Sequence, residues 1–281
     1  MKLCVDLGAT NVKSGLVQNG KFVKTLVTPT DTTRKRQGVV ASLQGAIDGL
    51  LCDEVKAICI ASAGKIDVES GKVLYATENL PGYTGFCIKE FVRETYGLPC
   101  VAVNDGMAAL LGEIYLTEEY RNKRIVMLTL GSGVGSAYAV NGEIQGKDDE
   151  FASFGHLCIE KQGLPCNCGK VGCPEQYLSG RAINRQAQEI HVAKNKLFDE
   201  KRSGNPKAQE VFDRLKGYLA RTLQEIEKTS PFDICILGGG AVDGMGDTFD
   251  EFASISGCDV RRAKAGNNAG MLGAYYLGRD L

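Results

Sequence analysis

Ten residues after His156 comes Cys166, and Cys168 and Cys173 complete a C-x-C-x4-C run. Three thiolates and one imidazole form the nitrogen–sulfur set of a closed, tetrahedral structural Zn2+ site. Gly169 and Gly172, inside the run, allow the backbone to turn tightly enough for the sulfurs to converge. Reduced thiols in a glycine-rich loop are the alternative, since the chain has 11 cysteines. The spacing and the nearby histidine favour the metal, so His156, Cys166, Cys168 and Cys173 are the expected ligands.

A second chemistry is carried by glycine turns at strand ends. Asp6-Leu-Gly8-Ala-Thr10-Asn11 closes the first apolar run. Gly8 lets backbone N–H groups approach an anion, and Thr10 and Asn11 add side-chain hydrogen bonds. Asp6 suits Mg2+ or its water shell, because that ion takes few protein carboxylates and keeps several waters. Taken alone, an Asp that caps a hairpin turn fits equally well. Gly131-Ser132-Gly133-Val-Gly135 is a matching turn that would cradle the remaining phosphates. Neither is a Walker-type loop, since no Gly-Lys-Ser/Thr follows and each leads into a strand. Gly238 and Gly239, with Gly240, end a further apolar run and could sit against a base or ribose; a tight strand-to-helix turn explains them nearly as well.

Asp105 is the carboxylate best placed for proton transfer. It stands where the apolar run Cys100–Val103 gives way to a helix from Met107 to Tyr115, the edge that faces ligands in α/β folds. A base there fits phosphoryl transfer to an alcohol. A helix N-cap is the competing role for the same residue.

The elements that must hold these groups follow from periodicity. Strands are expected at Leu3–Leu7, Val12–Val17 and Phe22–Thr28, with the hairpin dipeptide Asn19-Gly20 between the last two. Val39, Leu43, Ile47 and Leu50 mark an amphipathic helix, and Val55–Ala61 a strand ending at Ser62-Ala-Gly64. Ile88, Phe91 and Val92 mark the next helix. The opening pattern then recurs: strand Ile125–Leu130, the glycine turn, strand Ser136–Val140 and the dipeptide Asn141-Gly142. From Gly131 to Gly142 this copy is one residue shorter than Gly8 to Gly20. The recurrence indicates two related domains. Helices are expected from Pro174 to Ile190, Pro206 to Lys228 and Ala269 to Leu277, and a strand at Asp233–Leu237.

Bulk properties exclude several classes. The chain has 281 residues with 43% hydrophobic and 24% charged content, ordinary for a globular protein with one large or two medium cores. A net charge of -1 gives no electrostatic footprint for nucleic acid. The basic run Arg34-Lys35-Arg36 is short, opens a helix and reads as a solvated face. No apolar stretch approaches bilayer length. Asp6 interrupts the first apolar run, so no signal peptide is expected, and an odd cysteine count argues against a disulfide framework. The expected compartment is cytoplasmic.

Together these residues resemble the ROK family of sugar kinases and related repressors, which has the two-lobed actin/hexokinase-like ATPase fold, an α/β fold of duplicated ribonuclease H-like domains. Asp6–Thr10 resembles the first phosphate motif and Leu130–Gly135 the second. Asn79-Leu-Pro resembles the sugar-side loop, and Asn104-Asp105 the catalytic pair. The pattern G-H-x9-C-x-C-G-x-x-G-C-x-E, from Gly155 to Glu175, resembles the zinc site and is specific. The resemblance implies an ATP-dependent kinase acting on the primary (6-) hydroxyl of a hexose or amino sugar, with Mg2+ and a structural Zn2+. Asp105 would be the general base. Asn79, Asn104, Ser153, His156 and Glu175 would line the sugar, His156 also holding the zinc. It further implies a homodimer, and lobes at residues 1–115 with 267–281 and at 116–266, joined by a hinge.

Two positions depart from the family pattern. Three residues before His156, where the family carries Glu, this chain has Ser153. A short hydroxyl cannot make a carboxylate's bidentate contact, so affinity or sugar choice is expected to change. At Ser62-Ala-Gly64 many members carry Pro before the glycine. Ser153 keeps open a sugar-binding protein with weak or no kinase activity. A ROK repressor is disfavoured, because the first phosphate strand begins at residue 3 and leaves no room for a helix-turn-helix.

Overall fold

The computed structural model describes residues 1–146 and 153–281. The chain divides into two compact units, residues 1–118 with 267–281 and residues 119–266.

In the first unit β1 (Lys2–Leu7), β2 (Asn11–Gln18) and β3 (Lys21–Pro29) form an antiparallel meander. Asn19 and Gly20 have φ of 51° and 75°, the paired positive values a two-residue hairpin turn demands and Asn-Gly best tolerates. Helix α1 (Lys35–Asp48) buries Val39, Leu43 and Ile47. Strand β4 (Ala57–Ser62), buried at every position, lies parallel to β1. A short hairpin, β5 (Lys65–Ile66) and β6 (Val73–Tyr75), precedes α2 (Ile88–Tyr96). Strand β7 (Cys100–Asn104) pairs parallel with β4 and leads directly into α3 (Asp105–Leu116). The sheet order is β3-β2-β1-β4-β7.

The C-terminal helix, Ala269–Leu277, returns to this unit and crosses α3 closely. A Cβ at Gly112 would stand 2.5 Å from the Ala269 carbonyl oxygen, and one at Gly273 only 1.7 Å from that of Ala108. Only glycine permits such an approach.

The second unit repeats the arrangement. Strands β8 (Arg124–Leu130), β9 (Val134–Val140) and β10 (Glu143–Ile144) form the meander. Its turn, Asn141-Gly142, has φ of 51° and 81°. After the metal-ligand loop come α4 (Glu175–Leu178), α5 (Gly180–Glu189), α6 (Leu197–Arg202) and the long α7 (Pro206–Thr229). Asn205 caps α7 through Lys207 and Ala208 N–H, and Pro206 opens it. Then follow β11 (Ile234–Gly238), α8 (Gly240–Asp243), α9 (Phe249–Ala253) and β12 (Val260–Arg262). The order β10-β9-β8-β11-β12 copies the first sheet, with β11 and β12 parallel to β8.

The one-residue difference between the copies lies in the glycine turns. Leu7 pairs with Val12 and Leu130 with Val134, so four residues lie between the last paired residues in the first turn and three in the second. In each, the first turn residue donates its N–H to the last residue's carbonyl: Gly8 to Asn11 at 3.0 Å, Gly131 to Gly133 at 3.0 Å.

Two expectations need correction, and one competing role falls away. The helix expected from Pro174 to Ile190 is two helices, because Ser179 is extended (φ −64°, ψ 154°) and its hydroxyl caps α5 through Ala182 N–H. The cap of α3 is Asn104 rather than Asp105. The basic run is not only a solvated face. Arg34 pairs with Asp31, and Arg36 donates to the carbonyls of Gly82 and Thr84, both at 2.6 Å, fixing the loop that carries Asn79.

Candidate functional site

In the first unit two carboxyls stand at strand ends. Asp6 faces Lys13 across the β1–β2 ladder, with Lys13 Nζ 3.5 Å from Oδ2. A Cβ on Gly270 would lie 2.8 Å from the Asp6 carboxyl carbon, so the first turn of the C-terminal helix packs on this group. Burial raises the Asp6 pKa, and Lys13 pulls it back.

Asp105 is the first residue of α3 and half-buried. Burial, then the charge of Asp6, raises its pKa to about 6. Hydrogen bonds from Gly106 N–H and Asn104 Nδ2, both 2.9 Å, oppose the rise. Asn104 is saturated. Its Oδ1 accepts from Gly106 and Met107 N–H at 2.9 and 3.1 Å, and its Nδ2 donates to Gly64 O at 2.8 Å and to Asp105. An amide offers two donors and two acceptor sites, so Asn104 here orients the Asp105 carboxyl and caps its helix, with both donors engaged.

The remaining first-unit candidates are more exposed. Gly8 is held by Thr30, whose hydroxyl donates to Gly8 O at 2.7 Å and whose N–H donates to Thr10 O at 2.9 Å. The Thr10 and Asn11 side chains are open to solvent. Asn79 is exposed on a loop anchored by buried Leu80 and by Tyr83, whose hydroxyl is 3.4 Å from Ser62 Oγ.

In the second unit the four expected metal ligands come together. One ligand atom from each of His156, Cys166, Cys168 and Cys173 lies within 4.8 Å of all the others. His156 Nδ1 is 3.7 Å from Cys166 Sγ, and Cys168 Sγ is 3.6 Å from Cys173 Sγ. A tetrahedron with bonds of about 2.0–2.3 Å has edges of roughly 3.6–3.8 Å, so the set fits Zn2+. The loop is built for the task. Gly169 (φ 85°) and Gly172 (φ 70°) make the bends, and a Cβ on Gly172 would meet Glu160 O at 1.8 Å. The Tyr177 hydroxyl accepts Leu164 N–H at 2.8 Å while its ring stacks on Tyr218 at 4.3 Å.

Glu175, two residues beyond Cys173, reaches the glycine turn: its Oε2 accepts Val134 N–H at 3.2 Å, and a Cβ on Gly133 would meet it at 2.5 Å. Ser153 is half-buried before the turn Phe154–His156, and its carbonyl accepts His156 N–H at 2.8 Å. Gly238 is a buried strand end, and Gly239 (φ 93°) presses on the Leu130 backbone. Gly240, Ala241 and Gly244 instead border a cavity of about 570 Å³, opposite Gly131, Ser132, Gly180 and Arg181. Its other walls include Ile183, Asn184, Lys194, Leu197 and Phe198. Sequence reasoning found one rim of this cavity and missed the α5–α6 wall, whose short helices carry no motif.

Comparisons with known proteins agree with this construction. The sequence profile of the ROK family matches residues 2–280. The chain is 28% identical over 310 residues to a glucokinase of Streptomyces coelicolor, covering 98% of this chain and 96% of that one. It is 27% identical over 293 residues to an N-acetylmannosamine kinase of Haemophilus influenzae, covering 99% and 95%. A solved ROK family glucokinase from Streptomyces griseus, in complex with glucose and AMPPNP, superposes with a TM-score of 0.76 at 26% identity, covering 100% and 99%. Among the described residues no helix is long and apolar enough to cross a membrane. A mixed five-stranded sheet in each unit, a Cys3His cluster and a profile match over nearly the whole chain make this protein a member of the ROK family.

Proposed function

We propose that the protein is an ATP-dependent sugar kinase that phosphorylates the primary (6-) hydroxyl of a hexose or amino sugar, with Asp105 as general base. The observation that carries this reading is the poised carboxyl of Asp105, with a pKa near 6 and one oxygen held by Gly106 and Asn104. At neutral pH it is ionised yet basic enough to take a hydroxyl proton as the bond to phosphorus forms. Phosphoryl transfer is mostly positioning and charge neutralisation, so one oriented base and a set of fixed donors suffice. Full-length relatives that are sugar kinases support the same class.

The donor's phosphates would be taken by the Gly8–Asn11 and Gly131–Gly133 turns, and the nucleoside by the cavity beside Gly240. Mg2+ bound with the triphosphate supplies neutralisation of its oxygens; Asp6 offers the single carboxylate that such an ion or its water shell needs. His156, Cys166, Cys168 and Cys173 would hold Zn2+ in a structural role. With Nδ1 turned to the sulfurs, His156 keeps Nε2 for a sugar hydroxyl, and Glu175 keeps Oε1. Self-association as a homodimer belongs to the same reading and is checked by light scattering.

A second reading, a sugar-binding protein with weak turnover, draws on Ser153. The deciding experiment is a coupled assay with Mg-ATP over glucose, mannose, fructose, allose, N-acetylmannosamine and N-acetylglucosamine. Turnover on one of them supports the kinase. Binding to a sugar with no turnover on any supports the alternative. Ser153→Glu should shift the sugar profile under the kinase reading, and an unchanged profile would remove Ser153 from the sugar site.

A further inference from the structure

The loop that carries the metal ligands touches the Gly131–Val134 turn from both of its ends. On the entry side, a Cβ on Gly155 would come within 2.2 Å of the Val134 carbonyl oxygen, and Phe154 N–H donates to Ser136 Oγ at 3.0 Å. On the exit side three hydrogen bonds reach the turn within seven residues of chain. Glu175 Oε2 accepts Val134 N–H at 3.2 Å, Gly180 N–H donates to Gly131 O at 2.7 Å, and Arg181 Nε donates to Ser132 O at 2.7 Å. The break at Ser179 makes the last two possible. A continuous helix would have spent the Gly180 N–H on its own backbone; instead the extended Ser179 turns that N–H toward Gly131.

A glycine-rich turn is conformationally loose by itself, and ordering it for an anion costs backbone entropy at every glycine. Bonds that fix the Gly131 and Ser132 carbonyls and the Val134 N–H order the turn between them, and they pay that entropy before a ligand arrives.

We propose that the metal-holding loop and the residues after it clamp the Gly131–Val134 turn, with Arg181 and Glu175 as positioning residues, so that this loop sets affinity for the phosphate donor as well as for the sugar. The proposal rests on the reading of that turn as a donor-phosphate site. Arg181 carries the sharpest consequence. Its guanidinium is the one charged donor in the clamp, and a charged hydrogen bond is worth roughly twice a neutral one. It also borders the cavity beside Gly240.

The test compares Arg181→Ala and Arg181→Lys with the unaltered full chain, with and without a zinc chelator. Amide exchange of the peptide spanning residues 130–135 reads the clamp directly, and titration with Mg-AMPPNP and with sugar reads its effect. We expect faster exchange and about tenfold weaker AMPPNP binding in Arg181→Ala. Sugar affinity should be unchanged and most of the loss restored in Arg181→Lys, whose ammonium can still donate to the Ser132 carbonyl. Chelation of protein that keeps its circular dichroism should accelerate the same exchange. Unchanged exchange in Arg181→Ala overturns the clamp, as does a loss shared equally by sugar and nucleotide. If unaltered protein fails to bind AMPPNP while Arg181→Ala exchanges faster, the clamp stands and the donor assignment falls.

Discussion

Asp6 acts on Asp105: the carboxylate of Asp6 at the end of β1 adds to the burial that raises the pKa of Asp105, at the start of α3, to about 6. Each also lies at a helix N-terminus, Asp105 in the first turn of α3 and Asp6 against Gly270 of the C-terminal helix. Helix N-termini favour negative charge, which keeps both groups ionisable despite their surroundings.

Asp105→Asn should lower phosphorylation by about 10²–10⁴-fold and change sugar affinity little, because the amide oxygen still accepts from Gly106. Single-turnover kinetics with isothermal titration would check it. Near-normal turnover removes Asp105 from the role of base.

The dependence on pH has a definite sign. Asp105 must be ionised to accept a proton, so kcat/KM should fall on the acid side with a midpoint near 6. Asp6→Asn removes a charge that raises this pKa, so the midpoint should move down. An upward shift would show that the Asp6 charge does not act on the base.

Stability should move opposite to activity. The native pKa of Asp105 lies above its ordinary value of 3.8, so its charged form destabilises the fold. That penalty is full above about pH 6 and gone below about pH 4. Asp105→Asn should therefore stabilise the protein at pH 8 by about 1–3 kcal/mol, with no gain at pH 4 if the fold persists there. Urea titrations at the two values would measure it.

Asn104→Ala removes the cap of α3, at a cost of about 1 kcal/mol, and frees Asp105 from the hydrogen bond of the Asn104 amide. A drop in kcat larger than the change in sugar affinity is expected, since Asn104 spends its amide on orientation. A pure loss of sugar affinity would instead assign it to substrate contact.

Metal analysis should find about one Zn2+ per chain, as four ligands around one point imply. Cys168→Ser should lower metal content and melting temperature together, read by mass spectrometry and calorimetry. Protein purified without chelator and free of metal would remove the site.

What the sequence showed about this site follows a physical divide. Asn19-Gly20 and Asn141-Gly142 were legible because a two-residue hairpin imposes its φ angles locally. His156 and the three cysteines were legible because their ligand spacing is local too. Asp105 was legible as a strand-to-helix junction, but its rival role as cap fell to the neighbouring Asn104, a distinction made by hydrogen bonds to Gly106 and Met107. The break at Ser179 was hidden because Gly180 and Arg181 answer to a turn 49 residues away. Helices α4, α8 and α9, of four or five residues, are too short for periodicity to register. Lys13 as the partner of Asp6 needed the β1–β2 register, which the length of the first glycine turn sets.

The crossing of α3 with the C-terminal helix, glycine against backbone at Gly112 and Gly273, has a consequence for synthesis. The polypeptide leaves the ribosome from its amino end, so the first sheet is complete long before residues 269–277 appear. Until they do, the α3 groove and the Asp6 carboxyl lack the helix that packs on them. The first unit is completed only by that helix, after the whole of the second unit has been synthesised.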